Sequence, residues 1–254
     1  MNNKKLKNKS FGLLLVRKLL HFCPALLIAE TLAIMMKETL EKKLKYLGSS
    51  IKLTDFNTIE RGLKYYLRFE LGDPFENGTK KRVNQATKRA TELFENYIEE
   101  NSEVYILIYD LNDEMFARTP NYLHEILNKK IIEHETYDEQ LALRYFAHET
   151  DIEWTKGKLS IYLADRNNIP YSKIFKGIAN TEMGFEPAVH QLVYFYQPKS
   201  KKWFWMYDDR GCLMFSDEIY DLRENLKKFD NWIVETQRSE MEKQFAGITI
   251  ANNV

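Results

Sequence analysis

Cysteine is scarce in this chain: only Cys23 and Cys212 occur among 254 residues. That excludes a disulfide framework and fits a reducing compartment, so a cytoplasmic location is expected. Net charge is lacking as well, since 37 basic side chains meet 37 acidic ones. No whole-surface field gathers phosphates, and neither duplex nucleic acid nor an anionic membrane is expected as a partner. Glycine and proline number 10 and 6, and they never cluster into a low-complexity linker. The chain also has no Gly-rich phosphate loop, no Gly-x-Ser-x-Gly elbow, no Cys pair at zinc spacing and no His-Glu-x-x-His. The mononucleotide, hydrolase and zinc readings lose their best support, and no cofactor or metal is expected.

Hydrophobic residues make up 44% and charged residues 29%, the balance of an ordinary globular protein. Residues 1–34 stand apart. Lys4, Lys5, Lys7 and Lys9 precede an apolar run from Phe11, which Arg17 and Lys18 interrupt before a second run ends at Glu30. The order is that of a secretory signal, yet the second run falls short of the about 20 residues that a spanning helix needs. No membrane span is expected. Met35 and Met36 open an amphipathic segment with Met36, Leu40, Leu44 and Leu47 on one helical face. Residues 1–34 are therefore read as an N-terminal extension, residues 35–245 as a single domain, and residues 246–254 as a tail.

Periodicity sketches that domain. Residues 63–71 (LKYYLRFEL) alternate as a strand does and end at Gly72, Asp73 and Pro74. Val83, Ala86, Ala90, Leu93, Phe94 and Tyr97 recur at helical spacing within 78–100. Residues 104–109 (VYILIY) are apolar on both faces, which suits a strand near the middle of a sheet. A short helix is expected over 120–127, strands over 140–147 and 159–163 with Gly157 in the turn between them, and a helix over 171–178. Residues 192–196 and 203–207 read as an aromatic hairpin joined by 197–202 (QPKSKK). After the capping residues Ser216 and Asp217, a last helix is expected to carry Ile219, Leu222, Leu226, Phe229 and Ile233 on one stripe. Paired strands with helices between and after them predict an α+β fold: an antiparallel or mixed sheet with helices mainly on one face.

The densest polar constellation is Tyr207, Asp208, Asp209, Arg210, Gly211 and Cys212 at the end of an aromatic strand. Two carboxylates and a guanidinium fork could hold a metal, a phosphate or a partner's charges. The same residues make good tight-turn chemistry, with Asp side chains bonding nearby amides and Gly taking positive φ. Arg68 and Glu70 fall with Tyr66 on one side of their strand, either as part of a site or as a solvated ion pair. Lys80, Lys81, Arg82, Lys88 and Arg89 make the start of the 78–100 helix basic, which is read as a solvated face. His124, His134, His148 and His190 lack ligand spacing and read as surface or packed side chains. Cys212 reads as a buried strand cysteine, and Trp203, Trp205 and Trp232 as core.

The segments 169–179 (IPYSKIFKGIA) and 207–212 (YDDRGC), with Asn231, Trp232, Ile233 and Arg238, resemble the bacterial family called domain of unknown function 3885. Residues 67–72 (LRFELG) with Arg89, Ala90, Leu93 and Phe94 are similar to its N-terminal part. The resemblance implies kinship over most of the chain after residue 60 and carries no established activity. On the residues themselves, a compact domain without an active-site motif but with charges of both signs at strand ends is expected to bind a protein partner, in the manner of an immunity protein or regulator. The rival expectation is a metal-assisted enzyme acting on a phosphorylated or nucleotide substrate through Asp208 and Asp209, with Arg68 or Arg210 holding charge. It requires Arg68, Glu70 and residues 208–210 to share one pocket.

Overall fold

The computed structural model describes residues 37–44, 51–111, 117–128, 133–143 and 153–246. The chain divides into two compact units, residues 1–40 and 41–254. Of the first, only residues 37–40 are described, and they are helical. The other described residues belong to the second. Cys23 and His148 lie outside the described residues, as do the whole N-terminal extension and residues 144–147 of an expected strand.

Seven strands form one open antiparallel sheet: β1 (Tyr65–Glu70), β2 (Glu103–Asp110), β3 (Glu133–Ala142), β4 (Trp154–Asp165), β5 (Leu192–Gln197), β6 (Lys202–Met206) and β7 (Gly211–Ser216). Their spatial order is β1-β7-β6-β5-β2-β4-β3. Among the described residues after 50, the α-helices are α1 (Asn57–Gly62), α2 (Lys80–Tyr97), α3 (Tyr122–Asn128), α4 (Tyr171–Met183), α5 (Ile219–Lys228) and α6 (Arg238–Lys243). The fold is α+β, as the paired strands and intervening helices lead one to expect.

The register gives the two sheet faces different chemistry. One face stacks Leu67, Phe69, Cys212, Met214, Phe204, Met206, Val193, Phe195, Ile106 and Ile108. Helices α2 to α6 all add side chains to this core. The six residues read as the apolar stripe of α2 are its six buried positions. Phe94 on that stripe meets the rings of Tyr171, Phe175, Phe195 and Phe204 at centroid distances of 4.8, 5.6, 5.0 and 5.3 Å, and such pairs add about 0.5–1.5 kcal/mol each beyond burial. The other face is a sheet of aromatics. Tyr105, Tyr196 and Trp203 form one stack, Tyr194 and Trp205 form another, and Tyr207 packs tilted on Trp205. Phe56, just ahead of α1, packs on Tyr109 and Tyr194 there.

β2 is buried along its apolar run and hydrogen-bonded on both sides, which is why that run needed no alternation. The free edge of β1 is covered by the chain's own C-terminal segment. Ile233 bridges Phe69, Val234 N donates to Arg68 O, and Gln244 bonds the backbone of Tyr66. Covering an edge in this way removes a template for aggregation.

Three expectations are corrected. Gly157 sits inside β4 opposite Glu139, not in a turn, because the strand begins at Trp154. A Cβ there would lie 2.4 Å from the carbonyl oxygen of Asp110, so the glycine permits a close backbone approach. The stripe of α5 ends with the helix at Lys228, and Ile233 lies beyond it in the edge-covering segment. Gly211 has no positive φ; of the described glycines, Gly78 and Gly184 do. Its role is steric and belongs to the site.

Candidate functional site

The β6–β7 turn, residues 207–210, closes with Tyr207 N donating to Gly211 O at 3.2 Å. Asp208 Oδ1 accepts the Arg210 amide at 2.7 Å, which is the Asx-type bond expected of a tight turn. The side chains then leave in three directions.

Tyr207 follows Trp203 and Trp205 onto the aromatic face. Its hydroxyl accepts from Arg68 Nε at 2.9 Å, and the Arg68 guanidinium lies 5.1 Å from its ring centroid. Burial pushes the Tyr207 phenol up to about 12, with Arg68 opposing, so the group stays protonated at neutral pH. A Cβ on Gly211 would stand 2.0 Å from this hydroxyl and 2.7 Å from Phe69 O. Only glycine leaves room for the ring to cross the strand pair. Arg68 also donates to Gln237 at 3.3 Å. Glu70 shares this side of β1, and its carboxyl is raised by burial and Asp73 against the pull of Arg68, Arg82 and Arg89.

Asp209 turns the other way, to α2. Arg82 Nε donates to its Oδ2, and both side chains are nearly buried, at 11% and 1% exposure. A second Arg82 nitrogen donates to Phe75 O at 2.7 Å. Gly72 makes this possible, since a Cβ there would lie 2.5 Å from the Arg82 guanidinium carbon. Gln85 and Arg89 bind further carbonyls of the β1–α2 connection, among them Gly72 O at 3.1 Å and Asp73 O at 3.0 Å. The basic start of α2 is thus no uniformly solvated face. Arg82 and Arg89 clamp the preceding loop while Lys81 and Lys88 stay in solvent.

Asp208 and Arg210 face a third region. Arg210 Nε donates to Asp208 Oδ2 at 2.8 Å, yet the arginine side chain is 62% exposed. Beside the pair opens a cavity of about 210 Å³, lined by residues of α4, of 189–192 and of the turn, including Glu182, His190, Gln191, Tyr207, Asp208 and Arg210. Glu182 lies 3.9 Å from Arg210. Its carboxyl is raised, first by burial and next by the charge on Asp208. His190 Nε2 points to Asp110 Oδ1 at 3.8 Å, and its buried Nδ1 has no hydrogen-bond partner among the described residues. A larger hollow of about 490 Å³ lies far along the sheet by Lys43, Tyr196 and Lys199, but Lys199 is a surface side chain tied to Glu99 at 3.6 Å.

The sequence-derived site residues are therefore neighbours that divide. Arg68 bonds Tyr207 and Glu70 pairs in register with Gly211, but neither lines the cavity that Asp208 and Arg210 border. Asp209 belongs to the Arg82 clamp. Glu182 and Gln191 went unread, and His190 was read only as a surface or packed side chain, because they sit on a helix end and a loop with no local pattern to mark them. His124 and His134 also converge, around Tyr162: His134 stacks on its ring at 4.7 Å and His124 Nδ1 meets its hydroxyl at 2.7 Å. Cys212 is buried on β7, and burial pushes its thiol far up, so no reactive thiolate forms at neutral pH. Among the described residues, no group of three or more His, Cys, Asp and Glu is placed to hold a metal, and no helix is long and apolar enough to cross a membrane.

Fold and site together define a helix-covered antiparallel α+β domain with a charged turn at one end of its sheet. The family model described as Domain of unknown function (DUF3885) matches residues 45–237, and the chain belongs to that family. No curated protein and no solved structure matches it.

Proposed function

We propose that this chain is a bacterial, cytoplasmic protein-binding module, immunity- or regulator-like, which meets its partner over the β6–β7 turn. The observation that carries the reading is the outward Arg210: a guanidinium 62% exposed, held in one orientation by the buried Asp208 of its own turn. A charge fixed before binding loses little freedom when a partner docks. Arg210 beside Glu182 offers both signs within a few ångströms, the pattern through which neutral proteins select partners by complementarity. The rival metal-assisted reading needs Asp208 and Asp209 to act together, but both oxygens of Asp208 are bonded by Arg210, and Asp209 turns to Arg82 and does not line the cavity. The geometry favours binding.

The test uses the full chain as bait in its native host, beside an Arg210→Glu variant of equal thermal stability. The native chain is expected to retain one partner at stoichiometric yield, and the charge reversal to lose it. Recovery of no stoichiometric partner, or equal recovery by both baits, rejects the reading.

A further inference from the structure

The cavity beside the turn holds more negative charge than its own arginine neutralises. Arg210 is committed to Asp208, with Nε at 2.8 Å, and reaches Glu182 only at 3.9 Å. Glu182 stands in the last turn of α4, where the helix end adds negative potential of its own. Arg118 offsets part of this by donating to Asn180 O at 3.2 Å, but it bonds the carbonyls and not the carboxylate. The remaining walls are of a different kind. Ile178, Val189 and Leu192 supply aliphatic surface, and His190 adds a ring that is 4% exposed and whose Nδ1 is unpartnered among the described residues. A ligand suited to this space has an apolar stem and a compact cationic end. Phosphates and carboxylates would meet two carboxylates and be repelled.

We propose that the cavity receives a primary alkylammonium group, namely the end of a lysine side chain on the partner protein. The methylenes run along Ile178, Val189 and Leu192, and the ammonium lies between Glu182 and Asp208. Lysine fits better than arginine, because a flexible stem buries its methylenes while a point charge with three donors can serve two carboxylates that are not coplanar. This rests on the protein-binding reading and adds to it the chemistry of the contact.

The test titrates the full chain with Nα-acetyl-lysine methylamide, with putrescine and with the neutral isostere Nα-acetyl-norleucine methylamide, following the methyl signals of Ile178, Val189 and Leu192 by NMR. The lysine compound is expected to shift these signals saturably at millimolar concentration and the norleucine compound to leave them in place. Glu182→Gln is expected to weaken the lysine compound about tenfold, the loss of one charge-assisted contact, with a melting temperature within about 1 °C of the native chain's. Equal shifts from lysine and norleucine, no shift from either, or indifference to Glu182→Gln overturns the proposal. Putrescine binding more than about tenfold tighter than the lysine compound assigns the cavity to free diamines and overturns the partner's lysine as source. A partner that binds native and Glu182→Gln baits equally overturns the lysine contact and leaves the protein-binding reading standing.

Discussion

Asp208 and Asp209 are adjacent in sequence and both meet an arginine, but in opposite settings. Asp209 and Arg82 are withdrawn from water and tie α2 to the sheet end, whereas Arg210, bound to Asp208, stays in solvent. Interaction type is the same in both pairs, and solvation decides what each does. A buried pair has its desolvation offset only while both members remain, so it acts as a structural constraint. Arg210 is open to water although its Asp208 is not, so that pair is screened on the cation's side, adds less to stability than the buried pair and leaves the guanidinium's charge available.

Removing one cation from each pair tests that contrast. Arg82→Ala leaves Asp209 buried without its counter-ion and is expected to cost about 3–5 kcal/mol in denaturant unfolding. Arg210→Ala leaves the residue 210 amide bonded to Asp208 and is expected to cost less, about 1–2 kcal/mol, by the same measurement. Equal losses would break the comparison. Gly211→Ala comes next, at about 1–3 kcal/mol, because the new Cβ must displace the Tyr207 ring. Its cost should shrink when Tyr207 is shortened to Ala in the same chain, which a double-mutant cycle checks. Tyr207→Phe removes the acceptor for Arg68 and is expected to cost about 1 kcal/mol in thermal unfolding.

The smallest effect is a pH dependence at Glu182. Its folded-state carboxyl is raised above the unfolded one, which titrates near about 4.3. The folded state therefore holds this proton more tightly, so the contribution to stability is present below the unfolded value and is lost as pH rises through the folded one. Glu182→Gln lacks that loss. Its stability relative to the native chain is expected to improve as pH climbs from about 4 toward neutrality, by a few tenths of a kcal/mol because the group is half exposed. A pH-independent difference would show that Glu182 is not the strained group.

Much of the fold was legible locally. The α2 stripe, the two-sided run of β2 and the β5–β6 hairpin each carry their own period. β7 was harder to read, since GCLMFS is buried throughout and lacks alternation; it lies between β1 and β6, where both faces are covered. Gly157 misled because glycine marks close approach as readily as a turn. The β3 edge of the sheet is rich in Glu and Asp, a composition that discourages strand addition and that only the strand order shows to be an edge.

At the site, residue types were legible and their division was not. Tyr207, Asp208, Asp209 and Arg210 announced a charged tight turn. That Asp209 would meet Arg82, 127 residues away, depends on how α2 lies on the sheet.

By itself, the sequence determined the helices and strands with a strong period, the polar turn and the charge balance, because these depend on neighbours within a few positions. Only the tertiary structure decided which arginine is buried with its carboxylate and which stays in water, and that Glu182 and His190 share a cavity with the turn. Solvation and Coulomb energy depend on distance in space, and for these groups that distance is set by chain segments far apart in sequence.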